Sequence, residues 1–177
     1  MHKWTTLATD MAPWRAYNRG VNGATIQAVR QMFANEVSKE KPRAIVLYLG
    51  DNDIADGLGT DTVVAELRGI IAIKRRLYGN TPTFVISIKP SPGRIAFAEQ
   101  QRSYNRQAAG IASDASDIVF VDVARQFLVN GRPGDFYAPD GVHLNAAGYI
   151  ILTRGVHLTL SKRLSQPGTN LCGPQLT

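Results

Sequence analysis

Cysteine is almost missing: the 177 residues hold one, Cys172, in a Gly- and Pro-bearing tail. A lone thiol excludes an internal disulfide and leaves a cysteine-based metal site short of ligands, so its scope is a surface thiol that at most links two chains. Long apolar runs are missing too. None approaches the ~18 residues of a membrane span, and the opening stretch from Met1-His2-Lys3-Trp4 lacks the basic, apolar and small-residue order of a signal peptide. The residues read as a soluble chain whose native compartment stays open. Neither an internal repeat nor a low-complexity segment is present.

Acidic residues are the minority, 14 Asp and Glu against 20 Lys and Arg, for a net charge of +6. Such an excess raises the question of nucleic acid. The basic residues are scattered, however: Lys39, Lys41 and Arg43 precede a strand, and Lys74, Arg75 and Arg76 end a helix. No helix-turn-helix, zinc-finger or RNA-binding signature interleaves them with base-reading aromatics, so no nucleic-acid partner is expected.

What remains is an ordinary globular balance, 44% hydrophobic and 19% charged, enough for one domain with a core. Residues 1 to 160 are expected to form it, with 161 to 177 as a loose tail. Three apolar runs rich in β-branched residues, Ala44 to Leu49, Thr83 to Ile88 and Ile118 to Val123, read as buried parallel strands. Between them residues 24 to 37 place Ile26, Val29, Phe33 and Val37 on one helical face, and residues 61 to 78 do so with Val64, Leu67, Ile71 and Leu77. The second helix has Thr60 and Asp61 at its start and Gly79 and Pro82 beyond its end. Further helices are expected from about Ile95 to Ala112 and from Asn145 to about Leu160, and a short strand around Arg15 to Asn18. The alternation predicts an α/β fold, a three-layer αβα sandwich on a parallel sheet with right-handed crossovers. Its ligand site belongs at the carboxyl ends of the strands.

Three segments there could carry chemistry. Asp140-Gly141-Val142-His143 precedes the last helix. A carboxylate three residues before a histidine can take a hydrogen bond from one ring nitrogen and leave the other facing outward as a general base; the plainer reading is a capping Asp beside a surface His. Gly50-Asp51-Asn52-Asp53 follows the first buried strand, where the Asn52 amide can donate to a developing oxyanion. Asp51, Asp53 and Asp56 also suggest a divalent cation, but the downstream Glu of a calcium loop is lacking, and acidic turn residues commonly cap helices, so no metal is expected. Asn18 to Thr25 contains Gly20 and Gly23 and ends where a helix begins, so the Gly23 N–H can point at an anion. It carries neither full nucleotide fingerprint, and no cofactor is expected.

Together, and in this order, the segments resemble the SGNH (GDSL-type) hydrolase superfamily, whose blocks contribute Ser, Gly, Asn and His. The resemblance spans roughly residues 4 to 160 and includes flanking text such as Leu7 to Pro13, Ile86 to Pro92 and Leu144 to Tyr149. It implies a flavodoxin-like sheet, Gly23 and Asn52 as oxyanion donors, His143 as base and Asp140 as its orienter. It also implies a nucleophilic serine in a GDS- or GSSS-like turn after a first strand, and neither is among these residues. Ser38, Ser87 and Ser91 lie elsewhere, and His2 and His157 have no matching carboxylate.

That first strand would sit between strands two and three of a flavodoxin-like order, so its absence predicts unpaired edges mid-sheet. Three accounts stay open: a sequence that starts late, completion by another chain, or a fold that closes the gap. The second makes a homo-oligomer an expectation. The function implied is hydrolysis of small acyl or acetyl carboxylic esters, carbohydrate esters included, with a small-molecule ester as partner. An impaired SGNH-fold module binding a sugar or acylated ligand is the alternative; a phosphate-binding flavodoxin-like domain lacks its phosphate loop.

Overall fold

The computed structural model describes residues 2–35 and 41–164. Strands β1 (Ile45–Leu47), β2 (Thr83–Ile86) and β3 (Ile118–Val121) form a parallel sheet in the order β1-β2-β3. Ile45 pairs with Thr83, and Thr83 with Ile118. Each strand is one of the expected apolar runs, shortened mainly at its carboxyl end, where the chain turns into a loop. β2 has a neighbour on both sides and is buried throughout, which is why its sequence is a continuous apolar run.

Successive side chains of β2 face opposite layers. Val85 meets α2 (Ile26–Asn35), α4 (Thr60–Tyr78) and α5 (Ala98–Ser113) in a core with Ile26, Phe33, Leu67, Ile70 and Tyr104. Phe84 and Ile86 meet α6 (Ala146–Leu164) and the N-terminal segment around α1 (Leu7–Asp10), through Leu152, Val156, Leu160, Trp4 and Met11. α4 and α5 are the two crossovers of the sheet. The expected αβα sandwich is therefore the fold.

The Arg15 to Asn18 strand does not form. Residues 15–20 are irregular, and the Asn18 side chain bridges locally, its Oδ1 accepting the Gly20 N–H at 2.9 Å and its Nδ2 donating to the His2 carbonyl at 3.2 Å. Local side-chain bonds of this kind compete with ladder pairing. Among the described residues no strand pairs with the outer edge of β1.

Other boundaries move less. A 3-10 segment (Pro92–Phe97) precedes α5, so the expected third helix begins as a tighter turn. α6 runs through Leu164, past the expected start of the tail, and residues 165–177 with Cys172 lie outside the described residues, as do Val37 and Ser38. Lys74 and Arg75, expected at a basic helix end, grip one carboxylate. Lys74 Nζ is fully buried, 2.7 Å from Asp117 Oδ2, while Arg75 Nη2 lies 2.8 Å from Asp117 Oδ1.

Candidate active site

The loop before α6 folds around Asp140. Its Oδ1 accepts the backbone N–H groups of Val142 and His143, each at 2.9 Å, and its Oδ2 lies 2.6 Å from His143 Nδ1. The Val142 and His143 N–H groups, with the ring behind them, hold the Asp140 carboxyl well below the usual carboxylate range. Asp140 thus stays a carboxylate, which assigns the ring proton to Nδ1 and leaves the Nε2 lone pair for a substrate or nucleophile. About a third of the His143 side chain is exposed.

Nε2 faces Asn22, whose Oδ1 is 3.3 Å away. An amide can present either end: rotated, it donates to the neutral ring, and with Oδ1 forward it accepts from an imidazolium. Asn22 begins a turn strapped to the first strand's loop. Asn52 Nδ2 donates to the Ala24 carbonyl at 2.9 Å, and both Asp53 carboxylate oxygens take the Ile26 N–H, at 2.9 and 3.1 Å. Gly23 therefore sits between one neighbour on His143 and another on Asn52. Its φ of +71° is left-handed, and the space a Cβ would enter is empty, so the turn is open on that side.

Asn52 lies near the start of α3 (Asp51–Ala55), which the chain enters through left-handed Gly50. Arg94 Nη2 donates to Asn52 Oδ1 at 2.8 Å, and Arg94 Nη1 donates to the Asp51 carbonyl and lies 3.0 Å from Asp51 Oδ1. Tyr48 and Gln101 donate to the same buried carboxylate at 3.0 and 3.1 Å. Lys89 Nζ, 3.9 Å from Asp51, lies over the rings of Tyr48 and Tyr137. Burial pushes the Lys89 ammonium down and the Tyr48 phenol up.

The remaining sequence candidates have other work. Asp53 anchors α2 and Asp51 anchors Arg94; among the described residues no three His, Cys, Asp or Glu groups converge to hold a metal ion. Ser87 Oγ accepts the Val123 and Ala124 N–H groups, each at 3.0 Å, across the sheet end. His2 and His157 meet the carbonyls of Gly20 and Ala12. The sequence singles out neither Asn22, inside the Asn18 to Thr25 block, nor Arg94 and Lys89 as individual site residues; Lys89 to Arg94 read only as a loop of the kind that sets specificity.

Residues 2–151 match the GDSL-like Lipase/Acylhydrolase family. The chain belongs to that family. Membership makes this GDSL-like protein a carboxylic-ester hydrolase by class. No match was found among curated proteins. Solved structures share its fold. One, from Streptococcus pneumonia and described as a platelet activating factor, is 24% identical with a TM-score of 0.75, covering 93% of this chain and 78% of the other. A carbohydrate esterase family 3 protein from Talaromyces cellulolyticus is 19% identical with a TM-score of 0.74, covering 86% and 73%. A variant acetyl-xylooligosaccharide esterase from Geobacillus stearothermophilus is 19% identical with a TM-score of 0.70, covering 92% and 78%.

Within the described part of this GDSL-like fold, no helix is long and apolar enough to cross a membrane.

Proposed function

We propose that the protein hydrolyses small acyl or acetyl carboxylic esters, carbohydrate esters included, with His143 as general base, Asp140 as its orienter, and Gly23 and Asn52 as oxyanion donors. The observation that carries this reading is the 2.6 Å Asp140–His143 contact beside a turn whose Gly23 is flanked by links to both His143 and Asn52. The esterase character of the similar Talaromyces and Geobacillus proteins supports the carbohydrate-ester choice.

The chemistry follows from the geometry. His143 Nε2 takes a proton from the attacking oxygen while Asp140 stabilises the imidazolium. The ester carbonyl oxygen gains negative charge as the new C–O bond forms, and the Gly23 N–H and the Asn52 amide offset it. The imidazolium then returns the proton to the departing alcohol. The family's nucleophile is a serine hydroxyl; the 177 residues hold no GDS or GSSS motif, and the Asp140–His143 pair by itself can activate water. A serine hydrolase without its nucleophile keeps an acceleration on the order of 10³ over water, which sets the scale for that route.

Hydrolysis of p-nitrophenyl acetate by the full chain, compared with His143→Ala, tests the reading. His143-dependent turnover is expected. Equal rates in the two proteins would overturn the hydrolytic dyad and leave the alternative, a ligand-binding module of the same fold. Self-association through the edge of β1, which no described strand covers, belongs to the same reading, and a monomer by size-exclusion with light scattering would count against it.

A further inference from the structure

Asn52 can act as a donor only if its nitrogen, not its oxygen, faces the Gly23 turn. We propose that Arg94 is the positioning residue that enforces this, an inference that rests on the ester-hydrolase reading above.

Rotating an Asn amide by half a turn exchanges O and N at little cost unless its neighbours tell them apart. Here they do. The flipped amide would set Nδ2 against the guanidinium and Oδ1 against the Ala24 carbonyl, a donor on a donor and an acceptor on an acceptor. A guanidinium offers only donors and no acceptor, so it cannot receive the flipped Nδ2. Its positive charge on Oδ1 also polarises the amide and strengthens the N–H that faces the substrate.

The arrangement needs the fork of an arginine. Nη2 serves Asn52 while Nη1 serves the Asp51 carbonyl and carboxylate, and a lysine point charge cannot hold both in one plane. Asp51 is in turn fixed by Tyr48 and Gln101. Arg94 also departs from helical geometry, at φ −130° and ψ 24°, inside its 3-10 segment. The residue before it, Gly93, donates its N–H to the Gly141 carbonyl at 2.9 Å. One short loop thus touches the His143 loop through Gly93 and the oxyanion donor through Arg94, and sets their relative position.

The test is p-nitrophenyl acetate hydrolysis by the full chain carrying Arg94→Ala, Arg94→Lys, Asn52→Ala or both alanines. Arg94→Ala should lower kcat about 10- to 100-fold, short of the ~10²–10³-fold loss of a whole oxyanion donor, with KM nearly unchanged. In the Asn52→Ala background it should cost little more, because the two residues act as one unit. Arg94→Lys should recover little, whereas millimolar guanidinium should partly restore Arg94→Ala and leave Asn52→Ala unmoved. Arg102→Ala, on the exposed face of α5, should match the parent. If Arg94→Ala does not fold, Arg94→Gln, with a single amide donor, replaces it. Additive losses, full rescue by lysine, or no change in kcat would overturn the role of Arg94 while His143-dependent turnover stands. Turnover indifferent to His143→Ala would instead remove the ester-hydrolase reading, and this role with it.

Discussion

His143 Nδ1 lies 2.6 Å from Asp140 Oδ2, and the other oxygen of Asp140 is held by the backbone N–H groups of Val142 and His143 itself. The carboxylate therefore orients the ring and shapes the loop that carries it.

Replacing Asp140 with Asn keeps the size of the side chain but can put an amide N–H toward the ring, favouring the wrong tautomer. In serine proteases the equivalent change costs roughly 10⁴-fold in kcat, and here a fall of at least ~10²-fold is expected by steady-state kinetics. Because the Asp140 carboxyl is depressed, its charge survives into acid, so wild-type activity should not be lost through Asp140 titration anywhere between pH 5 and 8.

Gly93→Ala should impair catalysis from outside the dyad. A Cβ there would stand 2.8 Å from Val142 Cγ2 and 3.1 Å from the Asp140 carbonyl. The Asp140 and Gly141 carbonyls must give by a few tenths of an ångström, which displaces the loop that carries His143 and lowers the rate. A kcat that falls while thermal stability stays close to wild type is the expected result.

Asp117→Ala should destabilise without touching the site. It leaves Lys74, fully buried, without its carboxylate, a change worth ~3–5 kcal/mol in chemical denaturation. Lys74 and Arg75 hold the Asp117 carboxyl well below its ordinary range, first through the Arg75 hydrogen bond. Its folded value is depressed, so its contribution is fully present above the ordinary carboxylate range near pH 4 and declines as pH falls below it. Stability measured from pH 5 downward should drop more steeply in wild type than in the variant.

Asp53→Ala removes both acceptors of the Ile26 N–H at the start of α2. A loss of ~1–2 kcal/mol is expected from the missing cap, together with weaker hydrolysis as the Gly23 turn loosens from the Asn52 loop. Unchanged kinetics would separate the two loops functionally.

Much of the fold was legible in linear order. The run Thr83 to Ile88 is apolar because β2 is covered on both faces, and α4 carries its start and stop residues within a few positions of its ends. The Arg15 to Asn18 segment misled because half-buried Ala16 between exposed Arg15 and Tyr17 alternates as a strand would, whereas Asn18 spends its side chain on local bonds to Gly20 and His2. At the candidate site, the Asp140–His143 contact was legible because the two residues stand three positions apart, whereas the proposed roles of Gly23 and Asn52 rest on the order of the blocks. Arg94 was not legible, since its partner lies 42 residues away.

By itself the sequence determined the αβα class and the residue types of the candidate site, because periodicity and turn chemistry act over a few residues. Only the tertiary structure decided that Asn22 faces the histidine, that Asp53 caps α2 while Asp51 holds Arg94, and that Arg94 stands behind Asn52. Those relationships are hydrogen bonds between loops brought together at the ends of separate strands, and no local pattern encodes them.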